Sequence, residues 1–227
     1  MTNLLPVVAV GFVYGLRHAT DPDHVIAVTT IVARQRTMTG AAAIGAAWGV
    51  GHTLTMLVVG GGIIAFGWVI PTRIGLSTEL SVGLMLIVLG IMTLTNRQDH
   101  QHEFAHRLDH RFGAFGPYRL VRPLLVGIVH GLAGSAAAAL LILALIPNPR
   151  WGILFLLIFG LGTIVGMMLM TAAIVVPFAR TEARLDRLNH GLRLASGVIS
   201  LAFGLFVAYR IGIVDGLFTS TPRWTPR

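Results

Sequence analysis

The segment Arg17-His18-Ala19-Thr20-Asp21-Pro22-Asp23-His24 gathers a guanidinium, two imidazoles and two carboxylates into eight residues, between the apolar runs 7–16 and 25–32. Each Asp or Arg at the centre of a membrane helix costs about 2.5–3.5 kcal/mol on insertion scales. Arg17, Asp21 and Asp23 together would cost on the order of 8–10 kcal/mol against lipid. Such groups persist where they face a bundle interior, pair with one another, or hold an ion. A structural Arg–Asp pair with hydrogen-bonded histidines is the plainer account; metal or proton transport is the account that uses them all. Two imidazoles and two carboxylates form a hard-to-borderline N/O donor set, suited to Ni²⁺, Co²⁺ or Zn²⁺ rather than to Cu⁺ or Mg²⁺. The two Asp offset a divalent charge, and Arg17 balances the empty site.

A regular helix does not converge these side chains. At 100° per residue Asp21 shares the face of His18, whereas His24 lies about 120° away and Asp23 about 140° away on the other side. Pro22 removes a donor to the carbonyl of His18 and pushes Asp21 out of the helical region. A helix interrupted there turns side chains and freed carbonyls toward one cavity, as discontinuous transporter helices do. Two further imidazoles stand inside apolar runs. His52 lies in Trp48-Gly49-Val50-Gly51-His52-Thr53-Leu54-Thr55, flanked by hydroxyls and by glycines that admit close helix approach. His130, beside Gly131 and Gly134, is either a ligand or part of a tight packing surface.

The elements that must hold these groups are membrane helices. Of 227 residues, 55% are hydrophobic and 11% charged, less than half the roughly 25% charge of soluble domains. A soluble globular fold is excluded. Six apolar stretches run at about 4–33, 40–70, 76–95, 122–146, 151–178 and 192–218, each long enough to cross a hydrocarbon core of ~30 Å. The first is expected to be a retained span rather than a signal peptide, since no basic segment precedes it. Cysteine is absent, which removes disulfides, thiolate sites and dithiol redox chemistry. All 17 basic residues are Arg, in short stretches between apolar runs, a pattern that fits lipid headgroups and topology rather than nucleic acid. The loops after spans one, three and five hold eleven Arg and the opposite side five. The positive-inside rule then places those loops in the cytoplasm of a cytoplasmic (inner) membrane protein and both termini outside.

The two halves echo one another. Gly15-Leu16-Arg17-His18 aligns with Gly127-Ile128-Val129-His130 at an offset of 112, and Gly49-Val50-Gly51-His52 with Gly160-Leu161-Gly162-Thr163 at 111. Gly83 and Gly90 align with Gly197 and Gly204 at 114. The expected fold is an all-α integral membrane protein, a single transmembrane domain over 1–227 with six helices in two inverted three-helix repeats, the first helix discontinuous near Pro22. Residues 1–95 form the first repeat, 96–121 a His-rich cytoplasmic loop, 122–218 the second repeat and 219–227 a tail.

These residues resemble the nickel/cobalt transporter (NiCoT) family, in particular its shorter UreH-like branch. The family signature Arg-His-Ala-x-Asp-Ala-Asp-His-Ile differs from Arg17–Val25 only at Pro22 and Val25. A second signature, Gly-His-Ser followed by Thr or Ser, is similar to Gly51-His52-Thr53-Leu54-Thr55. The resemblance implies that His18, Asp23 and His24 are the main metal-recognition residues, with His52 assisting. The second half departs from the family: Gly131–Ser135 stands where an acidic segment is expected, and Gly166–Thr171 lacks the family's Asp.

The expected function is transport of Ni²⁺ or Co²⁺, by uptake, through a midplane site of His18, Asp21, Asp23, His24 and His52, with His130 and Arg17 as additional candidates. Efflux and an intramembrane metal-dependent hydrolase are the alternatives. The hydrolase needs a separate general base that does not stand out, so the chain is read as no enzyme. No permanently bound cofactor is expected; the metal is cargo. The expected partners are the divalent ion, membrane lipids and a cytoplasmic metallochaperone, with no nucleic acid. In the third loop His102, His106 and His110 recur every four residues, so a short helix would align them as a weak secondary metal surface that buffers ions. A solvated polar linker is the competing account.

Overall fold

The computed structural model describes residues 4–32, 35, 37–95, 117–146, 148–179 and 186–224, of which 4–7, 117–119, 135–141, 143–145, 177–179 and 186–189 are described by backbone alone. The described residues form helices and no strands. They are α1 (Leu4–His18), α2 (Pro22–Val32), α3 (Met38–Phe66), α4 (Thr72–Leu94), α5 (Pro117–Leu145), α6 (Pro149–Ala179) and α7 (Asp186–Tyr209), which runs on into a π-helical turn at Arg210–Val214. Four segments are long and apolar enough to cross a membrane: Met38–Phe66, Thr72–Leu94, Pro149–Val176 and His190–Val214. Between 28% and 56% of their most apolar windows is buried within the protein, so much of each faces outward. Val58, Leu84, Val88, Leu161, Leu169 and Leu205 are among the exposed side chains, and lipid is the solvent that suits them. The chain is an all-α integral membrane protein. The other two expected crossings differ in kind. The first is divided into α1 and α2, and α5 carries a described apolar stretch of Leu120–Gly134.

The break between α1 and α2 has local causes. The N–H groups of Thr20 and Asp21 bond back to the carbonyls of Arg17 and His18 at 2.9 and 3.1 Å, tightening the last turn of α1. Pro22 then takes the first position of α2, where its missing N–H costs nothing, and the N–H of Val25 bonds to the carbonyl of Asp21 at 3.0 Å. Asp23 consequently stands in the first turn of a helix, where the dipole favours an anion. α3 begins at Thr37, whose hydroxyl accepts from the N–H of Gly40, and ends at Gly67, left-handed at φ 65°.

α3 is the central helix, packed against α5 and α6; α1 lies on α6, and α4 pairs with α7. Small residues set these approaches. A Cβ at Gly15 would strike the carbonyl oxygen of Phe159, and one at Gly127 the carbonyl oxygen of Trp48. Gly51 is pressed in the same way on Leu124, and Gly162 on Phe12. Gly83 and Gly204 abut each other's helices, as do Gly90 and Gly197. Hydroxyls tie the same seams: Thr53 Oγ1 donates to the carbonyl of Gly160 (3.1 Å), Thr55 Oγ1 to that of Ile128 (3.2 Å) and Ser200 Oγ to that of Leu86 (2.8 Å). At the C-terminal end Gly216, at φ 78°, turns the chain back. Residues 219–224, expected as a plain tail, run against α4, with the N–H of Arg223 bonded to the carbonyl of Asp215.

Candidate metal centre

The break between α1 and α2 places His18 at the end of one helix and Asp23 and His24 in the first turn of the next, beside α3 and α5. Four imidazoles meet there. Ring centroids are 4.7 Å apart for His18 and His24, 5.1 Å for His18 and His52, 5.2 Å for His24 and His52, and 4.2 Å for His24 and His130. His24 and His52 are 1% exposed and His130 3%. Two overlapping groups present one ligand atom per residue within 4.8 Å of each other: His18, His24 and His52, and Asp23, His24 and His130. His24 is common to both.

Hydrogen bonds fix which ring nitrogens are left over. Asp23 Oδ1 accepts from the backbone N–H of His24 at 3.0 Å and lies 3.2 Å from its Nδ1, while Asp23 Oδ2 lies 3.0 Å from His130 Nε2. A carboxylate only accepts, so both imidazoles turn a proton toward Asp23. Their remaining nitrogens, His24 Nε2 and His130 Nδ1, are buried and have no hydrogen-bond partner. The second pair follows the same logic. His18 Nδ1 is 2.8 Å from Asp21 Oδ2, and His18 Nε2 is 3.1 Å from His52 Nε2. With His18 donating to Asp21, its Nε2 accepts from His52, and His52 Nδ1 is again buried without a partner. Three buried imidazole nitrogens of neighbouring rings thus have lone pairs and no donor among the described residues. Buried polar atoms are rarely left so, and a Lewis-acidic cation is what three undonated imidazole nitrogens accept best.

The sequence candidates separate accordingly. His18, Asp23, His24 and His52 come together. Asp21 is 46% exposed and meets the cluster through its bond to His18. Arg17 is exposed, and among the described residues no ion pair joins it to Asp21 or Asp23, so the guanidinium does not balance the site at contact range. His130, read from its glycine neighbours as a ligand or a packing residue, faces Asp23. His102, His106 and His110 lie outside the described residues. Two aromatic rings escaped the sequence reading as neighbours of the site. Trp48 stacks on His24 at 6.0 Å and 15°, and Phe159 lies 5.3 Å from His18. The offset of 111 that relates Gly49 to Gly160 also relates Trp48 to Phe159, which was the available signal.

A cavity of about 360 Å³ reaches the imidazoles. It is lined by His18, Asp23, His24, His52 and His130, and also by Glu79 of α4 and Arg210 of the π-helical turn.

One family of membrane proteins matches most of this chain. The model of the family described as the cytochrome C biogenesis protein transmembrane region matches residues 26–206. The urease accessory protein UreH of Bacillus sp. (strain TB-90) is 38% identical over 220 residues, covering 95% of this chain and 96% of UreH. The chain belongs to this family of membrane proteins, alongside UreH. The family match begins two residues past His24, whereas the likeness to UreH leaves too little of the chain uncovered to omit 17–24. Two Arabidopsis thaliana proteins, chloroplast proteins FOR GROWTH AND FERTILITY 2 and 1, are 27% and 25% identical; they align with 91% and 86% of this chain, which spans 57% and 56% of their length. No solved structure matches.

Proposed function

We propose that this protein is a permease that takes up Ni²⁺ or Co²⁺ across the cytoplasmic membrane, with the cation held among His18, Asp23, His24, His52 and His130 and with Asp21 orienting His18. The observation that carries the reading is the set of three buried imidazole nitrogens, on His24, His52 and His130, that have lone pairs and no donor. An N/O set of this kind prefers borderline divalent ions to Cu⁺ or Mg²⁺. The match of Arg17–Val25 to the nickel/cobalt transporter signature and the nickel-related membrane role suggested by the likeness to UreH support the same cargo.

The permease is built from six crossings in two inverted three-helix repeats: α1 with α2, α3 and α4, then α5, α6 and α7. The exchange of glycine contacts supports this. Gly15 on Phe159 and Gly127 on Trp48 are the same contact seen from each half, as are Gly51 on Leu124 and Gly162 on Phe12. With both termini outside, the cavity end at Glu79 and Arg210 faces outward. A cation sheds part of its water on reaching the imidazoles, and rearrangement of the bundle then exposes it to the cytoplasmic side.

Uptake of ⁶³Ni and ⁵⁷Co into sealed vesicles of defined orientation tests cargo, direction and site together. His24→Ala and His18→Ala should lose most of the flux while inserting normally. Flux indifferent to both substitutions refutes the site, and flux only out of the cell-like compartment refutes uptake.

A further inference from the structure

Glu79 has no place in the ligand set above, and an ionisable residue within a membrane span is a functional candidate by default. It is the eighth residue of α4, about 10–12 Å along the helix, and it lines the same cavity as the imidazoles. The walls also include Val82, Phe203, Phe206, Val207 and Ile211, so a cation leaving water meets an apolar lining with few charges in it. The carboxylate is also held in place: Glu79 Oε1 accepts from the indole N–H of Trp224 at 2.7 Å. The Trp224 ring in turn covers Gly75, where a Cβ would collide with it, and packs with the cluster of Leu76, Ile211 and Leu217.

We infer that Glu79 is a docking residue for divalent cations at the mouth of the cavity, set in position by the C-terminal strap and opposed there by Arg210. The inference rests on the permease reading and names the step that precedes the imidazole site. Apart from histidine, the charged residues lining the cavity are Asp21, Asp23, Glu79 and Arg210. Among the described residues that line the cavity Arg210 is the one guanidinium and Glu79 the carboxylate outside the imidazole cluster, and focusing by low-dielectric walls strengthens the pull of that carboxylate on a doubly charged ion. The repeat offset of 114 that relates Gly83 to Gly197 relates Glu79 to Arg193.

The test is the initial rate of ⁵⁷Co uptake against concentration in proteoliposomes of the full chain. Glu79→Gln leaves Arg210 unopposed and should raise KM about 3- to 10-fold with kcat unchanged. The gap should narrow as salt screens the mouth. Arg210→Gln should move KM the other way. Trp224→Phe keeps the ring on Gly75 but removes the indole donor, and should lower KM because the carboxylate no longer shares its charge with that N–H. An unchanged KM in Glu79→Gln at all salt concentrations overturns the inference, as does a loss of kcat shared by Glu79→Gln and Trp224→Phe, which marks a mere anchor for the strap. Failure of the permease reading looks different, since the unmodified chain then moves no cation.

Discussion

Asp23→Asn is the most informative single change, because it keeps shape and alters only proton bookkeeping. In the native site one carboxylate oxygen receives the backbone N–H and Nδ1 of His24, and the other faces Nε2 of His130. The backbone N–H of His24 is a fixed donor, so the amide oxygen of Asn must take the Oδ1 position, leaving its NH₂ directed at His130. His130 Nε2 is then obliged to accept, which moves its proton to Nδ1, the buried nitrogen that otherwise offers a lone pair. One of three undonated nitrogens is lost, together with a negative charge. Losing a partner that orients a metal-binding imidazole typically costs 10- to 100-fold in affinity, or about 1.4–2.8 kcal/mol. Titration of the purified protein with Co²⁺, followed by its d–d absorption, should show that weakening while the thermal transition in detergent stays in place. An Asp23→Asn protein that binds Co²⁺ within about threefold of the unmodified chain would refute the tautomer assignment and the role given to His130.

Gly127→Val puts side-chain atoms against the carbonyl of Trp48 and should cost about 1–3 kcal/mol or more by overpacking. Gly61→Ala meets open space within 4 Å and should gain about 0.8–1 kcal/mol of helix propensity; melting both in detergent checks the pair. Deleting 99–110 should change uptake kinetics without abolishing transport, and complete loss with normal insertion would contradict an auxiliary histidine loop.

Membrane class and the core of the site were legible because both are paid in large, local energies. Charged and imidazole side chains between Leu16 and Val25 have few tenable surroundings in lipid, and Pro22 makes the break that lets His18, Asp23 and His24 converge. His130 was less legible. Its glycine neighbours do form a packing seam, Gly127 on Trp48 and Gly131 on the carbonyl of His52, and that same seam brings the imidazole to Asp23. Arg17 misled for a simple geometric reason: the tight turn at Thr20 and Asp21 directs it to the exposed side while His18 turns inward. Glu79 and Trp224 are 145 residues apart, and no local pattern announces a pairing made by a chain reversal at Gly216.

The packing also limits how a cation could pass. Trp48 is fully buried, stacks on His24 and meets the edge of His130 at 5.9 Å, and its carbonyl is pinned by Gly127. In the proposed inverted arrangement with both termini outside, Trp48 would stand on the cytoplasmic side of the imidazoles and Phe159, its counterpart, on the outer side. Neither lines the cavity. Trp48 cannot swing away alone without dragging α5, and Gly15 locks α1 to α6 in the same manner. Those four helices must therefore move as one body. α4 and α7 form a second, joined by their own glycines and by Ser200 on Leu86; this pair touches the first body mainly where α4 meets α5, and α2 packs against both bodies. The cavity lies on that thinner seam, with Glu79, Val82, Phe203, Phe206 and Arg210 on one wall and the imidazoles on the other. For the permease proposed above, alternating access is expected to follow rocking of the α4–α7 pair against the glycine-locked four, rather than of one repeat against the other. The chain has no native cysteine to confuse the test: a disulfide joining positions 83 and 207 within the pair should leave uptake intact, whereas one fastening α4 to α5 should stop it, and arrest by both would restore motion between the repeats.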